Sequence, residues 1–271
     1  MTPVGKPLLK WAGGKGQMLE ALGRQIPAKW DRYVEPMVGG GALFFALAPE
    51  RALIADANPE LINFYRLIVS DLEGLVAQYE AWPFDERTFY EIRQLKFADL
   101  DGKTAAARLL YLNRACFNGL YRVNRHGDFN VPWGKYKRRY KVETGRFERA
   151  RDILRRARIE IGDFFELLHG EATRGDLIFL DPPYVPISAY ADFKRYTKQQ
   201  FQSDDHVRMA ELVRSLSERG CETIITNSNH SLVHDLYQEY HIRVVPTRRN
   251  VNSRGTGRAG EDVIIHVPAA G

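Results

Sequence analysis

Seven short apolar runs, at 33–35, 52–55, 159–161, 177–180, 223–226, 242–245 and 263–267, punctuate this chain of 271 residues. Helical patterns fill most of the intervals, and that alternation predicts an α/β fold on a largely parallel sheet. The rhythm breaks between about 58 and 115. There NPELINFYRLIVSDLEGLVAQYEAW, ERTFYEIRQLKF and KTAAARLLYLNRACF read as consecutive helices, set apart by Pro83 and the Asp101-Gly102 turn. An irregular basic stretch follows at 117–142. The expected architecture is a sheet domain made of 1–57 and 144–271, interrupted by a mainly helical insertion at 58–143. The last two strands, joined by a loop carrying Arg248, Arg249, Arg254 and Arg258, are expected to pair as an antiparallel hairpin at the sheet's edge.

Hydrophobic content of 44% and charged content of 27% are those of a soluble globular chain. No apolar run approaches the roughly 20 residues that span a bilayer, and MTPVGKPLLKWAGGKG has no secretory core. Cys116 and Cys221 lie too far apart for a disulfide framework or a zinc motif. A reduced, cytoplasmic protein is expected. Its charge is uneven: residues 121–158 hold thirteen Lys and Arg against four Asp and Glu. A basic segment on an otherwise acidic protein predicts a polyanion partner. For 145–158 a solvated helix face is the simpler reading. For 121–141, where Arg, Lys, Tyr, Trp and Asn interleave without helical period, nucleic acid is favoured.

Val38-Gly39-Gly40-Gly41 lies between the first strand and an apolar helix, where glycine lets a ligand approach the backbone. Asp56 closes the next strand, seventeen residues after Gly39, a position from which an acid can bond ribose hydroxyls. A tight turn followed by a cap for the helix at Asn58-Pro59 accounts for the same residues. Ala12-Gly13-Gly14-Lys15-Gly16 is no nucleotide-triphosphate loop, because Leu9 and Gly16 stand where glycine and a magnesium-binding hydroxyl are required. His230 and His234, four apart, read as surface histidines, and no metal site is expected.

The strand at 177–180 ends in Asp181-Pro182-Pro183-Tyr184. Two prolines fix φ and remove N–H donors, so this backbone is stiff and presents free carbonyls. Asp181 and the Pro182 carbonyl can accept the two hydrogens of an aromatic amine while Tyr184 stacks on its ring. Two acceptors pulling on those hydrogens favour a tetrahedral nitrogen with its lone pair directed outward, which is electrostatic preorganisation. An ordinary strand-terminating turn is the alternative.

KWAGGK (10–15), EPMVGGG (35–41), ADANPELINFY (55–65), LNRACFNGLYRVNRHGDFNVPWGKY (112–136) and DPPY (181–184) together resemble the Dam-type DNA adenine-N6 methyltransferases (D12 class, alpha group), in the same order over nearly the whole chain. The resemblance implies a Rossmann-like sheet, an inserted helical target-recognition domain, S-adenosyl-methionine as methyl donor, no metal, and double-stranded DNA as partner. It implies methylation of an adenine flipped out of GATC, by a monomer. Trp11 and Lys15 would contact the cofactor from the N-terminal arm, with Glu35, Met37 and Gly39 at the glycine turn. Asp56 would hold its ribose and Asp163-Phe164 its adenine, and Asp181 would border both cofactor and target base. Phe117, Asn118, Arg122, Asn124, Lys135, Lys137 and Arg138 would meet DNA. Met37 replaces a usual phenylalanine, Phe117 a common tyrosine and Lys135 a common arginine, which cannot be matched in its bidentate fork. Cytosine N4, RNA or protein glutamine as methyl acceptor, or a non-catalytic DNA-binding protein on the same scaffold, are the competing readings.

Overall fold

The computed structural model describes residues 4–186, 201–248 and 259–270. Arg249, Arg254 and Arg258 of the late loop, and the side chain of Arg248, lie outside the described residues. Among those described, one sheet contains β1 (Arg32–Glu35), β2 (Ala52–Asp56), β3 (Ala157–Ile161), β4 (Asp176–Leu180), β5 (Glu222–Ser228), β6 (His241–Arg248) and β7 (Ala259–Val267). Their spatial order is β3-β2-β1-β4-β5-β7-β6. The first five are parallel, while β7 runs antiparallel to both β5 and β6. The expected edge hairpin is present, with β7 inserted beside β5 and β6 outermost.

Successive strand residues face opposite sides of a sheet, and the core divides accordingly. Tyr33, Ile54, Leu177, Phe179 and Ile224 pack in one buried cluster, and Val34, Leu53, Ile178, Leu180 and Ile225 in another. A parallel sheet covered on both faces reads as continuous apolar runs, which is why β4 and β5 were visible in the sequence.

The helices are α1 (Leu19–Gly23), α2 (Ala42–Leu47), α3 (Pro59–Ser70), α4 (Leu72–Ala81), α5 (Glu86–Gln94), α6 (Gly102–Ala115), α7 (Thr144–Leu154), α8 (Phe164–Glu171), α9 (Ser203–Glu218) and α10 (Ser231–Leu236). The first of the three helical stretches is two helices. Asp71 leaves the helical region at φ −153° and its carboxylate accepts the Gly74 N–H at 2.9 Å, ending α3 and capping α4. Asp85 and Asp101 cap α5 and α6 in the same way. One buried cluster continues from Tyr33 and Phe44 through Phe64 and Tyr65 of α3 to Leu109 and Tyr111 of α6. Arg108 fastens that region: it pairs with Glu60 at 2.9 Å and donates to the last carbonyls of α5.

Several basic residues between 146 and 158 are engaged within the chain. Arg151 pairs with Glu73, Arg156 with Glu50, Arg158 with Glu171, and Arg146 donates to the Pro7 carbonyl. Arg139 is likewise structural. It donates to the carbonyls of Tyr79, Glu80 and Trp82, closing the C-terminus of α4 where a cation complements the dipole.

Candidate active site

Parallel strands present ligand sites at their carboxyl ends, beside the point where strand order reverses. Here the reversal falls between β1 and β4. Asp163 follows β3, Asp56 ends β2, Glu35 ends β1 and Asp181 follows β4. At the usual strand spacing these four acids span about 14 Å along one edge of the sheet. Nothing in the linear order 35, 56, 163, 181 reveals that row; the sheet order creates it.

The turn after β1 is built around glycine. Gly39 and Gly41 take φ of +46° and +64°, a region that side chains other than glycine's rarely enter. A Cβ on Gly39 would stand 2.9 Å from the Trp11 indole. The close approach expected of a ligand is thus also made by Trp11, which stacks on Tyr121 with centroids 5.0 Å apart. Asp56 accepts the Gly39 N–H at 3.0 Å and the Asn58 N–H at 2.9 Å. Burial raises its carboxyl above the ordinary range, and those two backbone donors oppose the rise. Asn58 caps α3 through the N–H groups of Glu60 and Leu61, with Pro59 in the first turn. The cap and the turn are thus present, and Asp56 faces the glycine turn.

Lys15 is buried and joins the far side of the site. Its Nζ lies 2.6 Å from Asp181 Oδ2, 2.5 Å from the Gly13 carbonyl and 4.9 Å from the centre of the Tyr184 ring. Thr226 Oγ1 donates to the other Asp181 oxygen at 2.7 Å. Glu35 is 2% exposed and accepts from the Tyr33 hydroxyl at 2.8 Å. Burial, the largest cause, and the neighbouring Asp181 charge push its carboxyl up to about 8, while the Tyr33 bond and Lys15 pull it back. Met37 is half-buried against the cluster on the Val34 face. Asp163 caps α8 through the N–H groups of Phe165 and Glu166, and Phe164 is buried in the aromatic group it shares with Phe165 and Phe201.

The basic stretch from Phe117 to Arg138 is fastened to the N-terminal arm that carries Lys15. Phe117 is 52% exposed on a turn whose next two residues, Asn118 and Gly119, take φ of 55° and 66°. Asn113 holds that turn to the N-terminal arm. Its Oδ1 accepts from Lys10 N at 2.9 Å, and its Nδ2 donates to the carbonyls of Lys10 and Gly119. Arg122, Lys135, Lys137 and Arg138 are exposed, and Arg122 Nε donates to Asn130 Oδ1 at 2.7 Å. Asn124 is placed otherwise than as an outward-pointing contact. Its side chain bonds the N–H groups of His126 and Asp128 and the Asp128 carboxylate, shaping the hairpin tip. Asn113 and Thr226 were missed in the sequence. Their signals were a polar residue within an apolar helix and a Thr-Asn-Ser run ending an apolar strand.

The family model of D12 class N6 adenine-specific DNA methyltransferases matches residues 11–251. The chain belongs to that family. This methyltransferase is 36% identical to a type II methyltransferase of Lactococcus lactis subsp. cremoris, over 96% of its own length and 94% of the relative's. It is 34% identical to the DNA adenine methylase of Vibrio cholerae, over 96% and 95%. It is 31% identical to that of Escherichia coli K12, over 96% and 94%. The methyltransferases of this family use S-adenosyl-methionine, whose sulfonium supplies an activated methyl group. The residues present suit it: a glycine turn that lets a flat ring, here that of Trp11, approach the backbone closely, carboxylates at the ends of β2 and β3, and an acid with an aromatic ring after β4. Among the described residues no helix is long and apolar enough to cross a membrane.

Proposed function

We propose that this methyltransferase modifies adenine N6 within GATC in duplex DNA, after the base has rotated out of the helix. The observation that carries the reading is the shared mounting of Phe117 and Lys15. Asn113 binds the Phe117-Asn118-Gly119 turn to the arm that carries Lys15, and Lys15 pairs with Asp181. An exposed ring that can fill the gap in a base stack is thus framed together with the acid that receives the base. A stacked amine cannot meet a methyl donor, and filling the vacated space partly offsets the few kcal/mol of unstacking.

In this proposal Trp11, Lys15, Glu35, Met37, Gly39, Asp56, Asp163 and Phe164 line the donor site, with Asp181 at its border. Asp181 and the Pro182 carbonyl accept the amine hydrogens, and Pro183 keeps the turn rigid. Tyr184 stacks on the flipped base. The N–C bond would form as the methyl–sulfonium bond breaks and its electron pair returns to sulfur; the amine loses one proton, and Asp181 is the carboxylate placed to take it. Residues 58–143 act as the recognition unit and 1–57 with 144–271 as the catalytic unit, within a cytoplasmic monomer. Support for GATC comes from the 117–136 resemblance, and support for adenine as the acceptor from relatives named DNA adenine methylases.

Labelled-methyl transfer to duplexes altered one base pair at a time, followed by nucleoside analysis, tests both parts. N6-methyladenine confined to GATC duplexes is expected. Equal rates on duplexes lacking GATC would remove the target assignment, and label on cytosine or protein would remove the acceptor.

A further inference from the structure

We propose that Thr226, Asn227 and Ser228 are positioning residues for the Asp181–Val185 segment, with Thr226 setting the plane of the Asp181 carboxylate for methyl transfer. This rests on the reading of Asp181 as acceptor of the target amine. β5 is apolar through Ile224 and Ile225 and then turns polar while staying fully buried: Thr226 and Asn227 are 0% exposed and Ser228 1%. Buried polar groups are costly unless bonded. All three are bonded to the same segment. Thr226 Oγ1 donates to Asp181 Oδ1 at 2.7 Å, Asn227 Oδ1 accepts from Val185 N at 3.1 Å, and Ser228 Oγ donates to the Val185 carbonyl at 2.7 Å.

The segment is held at both ends because its middle lacks backbone donors: Pro182 and Pro183 have no N–H. The carboxylate needs its own restraint, since the terminal torsion of an aspartate is broad and soft. Thr226 grips one oxygen and Lys15, at 2.6 Å, the other. Rotation of the carboxylate would break both bonds together, so the remaining lone pairs keep fixed directions. Of the two grips, Lys15 belongs to the N-terminal arm, whereas Thr226 sits in a strand paired to β7 at Ile264. The sheet itself therefore sets the geometry of the acceptor.

The test uses the full-length enzyme with S-adenosyl-methionine and a duplex containing the site that the wild type methylates. Thr226→Val keeps the side chain's shape and removes its hydroxyl, Thr226→Ser returns the hydroxyl, and Thr226→Ala serves if the valine variant does not fold. Loss of one bond to a charged group predicts a kcat about 10- to 100-fold lower for Thr226→Val. Both KM values should stay within about threefold, and Thr226→Ser should recover most of kcat. A valine variant with full kcat, a loss confined to KM, or a serine variant as slow as the valine one would each overturn the role. Asp181→Ala is measured alongside. If it turns over, the underlying reading of Asp181 fails; if it is inactive while Thr226→Val is fully active, the positioning role alone fails.

Discussion

Lys15 and Asp181 are 166 positions apart in sequence and form an ion pair at 2.6 Å. The pair links the N-terminal arm to the end of β4 and joins Lys15, proposed for the donor site, to Asp181, proposed to border both donor and target base. Asp181→Ala should lower kcat by at least about a hundredfold, the scale on which preorganised groups act on developing charge. DNA binding and the far-UV spectrum should be retained. Lys15→Met should cost about tenfold in kcat, one bond to a charged group. Single-turnover assays at saturating cofactor read both; near wild-type rates in Asp181→Ala would end the amine-acceptor role.

Asp56 joins the glycine turn to the start of α3 through the N–H groups of Gly39 and Asn58. Removing it takes away a charged acceptor and loosens the backbone it holds. Asp56→Ala should therefore weaken S-adenosyl-methionine binding by about tenfold to a hundredfold. Calorimetric titration decides the matter, and unchanged affinity would contradict the assignment of Asp56 to the donor site.

Glu35 gives the unliganded protein a pH signature. Its folded carboxyl is raised from 4.5 to about 8. Between those values the folded state keeps a proton that the unfolded chain releases. The associated stability is complete below the unfolded value and is lost as pH rises towards about 8. The slope is at most about 1.4 kcal/mol per pH unit. Urea unfolding across this range should show stability falling with rising pH in the wild type, and Glu35→Gln should flatten that fall. Parallel profiles for the two proteins would remove the assignment.

Arg122 is exposed and oriented by Asn130 at 2.7 Å. As a fork onto guanine, it predicts that Arg122→Ala loses about 1–3 kcal/mol of discrimination at one base pair. Methylation rates on singly altered duplexes measure this. Uniform weakening with discrimination intact would make Arg122 a phosphate contact.

The basic stretch should make DNA binding strongly salt-dependent. Neutralising about six phosphates predicts a roughly thousandfold loss of affinity between about 50 and 200 mM salt. Replacing exposed Lys137 and Arg138 with alanine should weaken every duplex alike and lower the logarithmic salt slope by about two. Arg139→Ala belongs to a different class, because its guanidinium closes α4: it should lower the melting temperature. A salt-insensitive affinity would turn the stretch away from DNA.

Local order was legible in the sequence because local forces produce it. A strand buried on both faces must be a continuous apolar run, as β4 is, and the less buried β3 and β6 still showed as short β-branched runs. Asn58-Pro59 and Asp101 cap helices through their own side chains and the next few N–H groups. The glycine turn and the stiff Asp181–Tyr184 segment likewise follow from φ preferences within a few residues. Asp71, which ends one helix and caps the next, was overlooked because the apolar pattern runs on across it.

Long-range choices were decided only in the tertiary structure. The row Asp163, Asp56, Glu35, Asp181 exists because β1 pairs with β2 on one side and with β4 on the other. Whether a basic residue meets DNA or holds the fold depends on which carbonyls lie near it, so Arg139 and Lys137, two positions apart, have different surroundings. Asn124 looks like a contact residue in a basic stretch, and only the folded chain shows that its side chain also shapes its own hairpin tip. Thr226 carries no motif at all. Its meaning comes from a parallel pairing that brings the end of β5 beside the end of β4, where a buried hydroxyl must find a partner and finds Asp181. Sequence alone determined the elements and the chemistry they contain; the pairing of strands, which no local propensity specifies, determined which side chains act together.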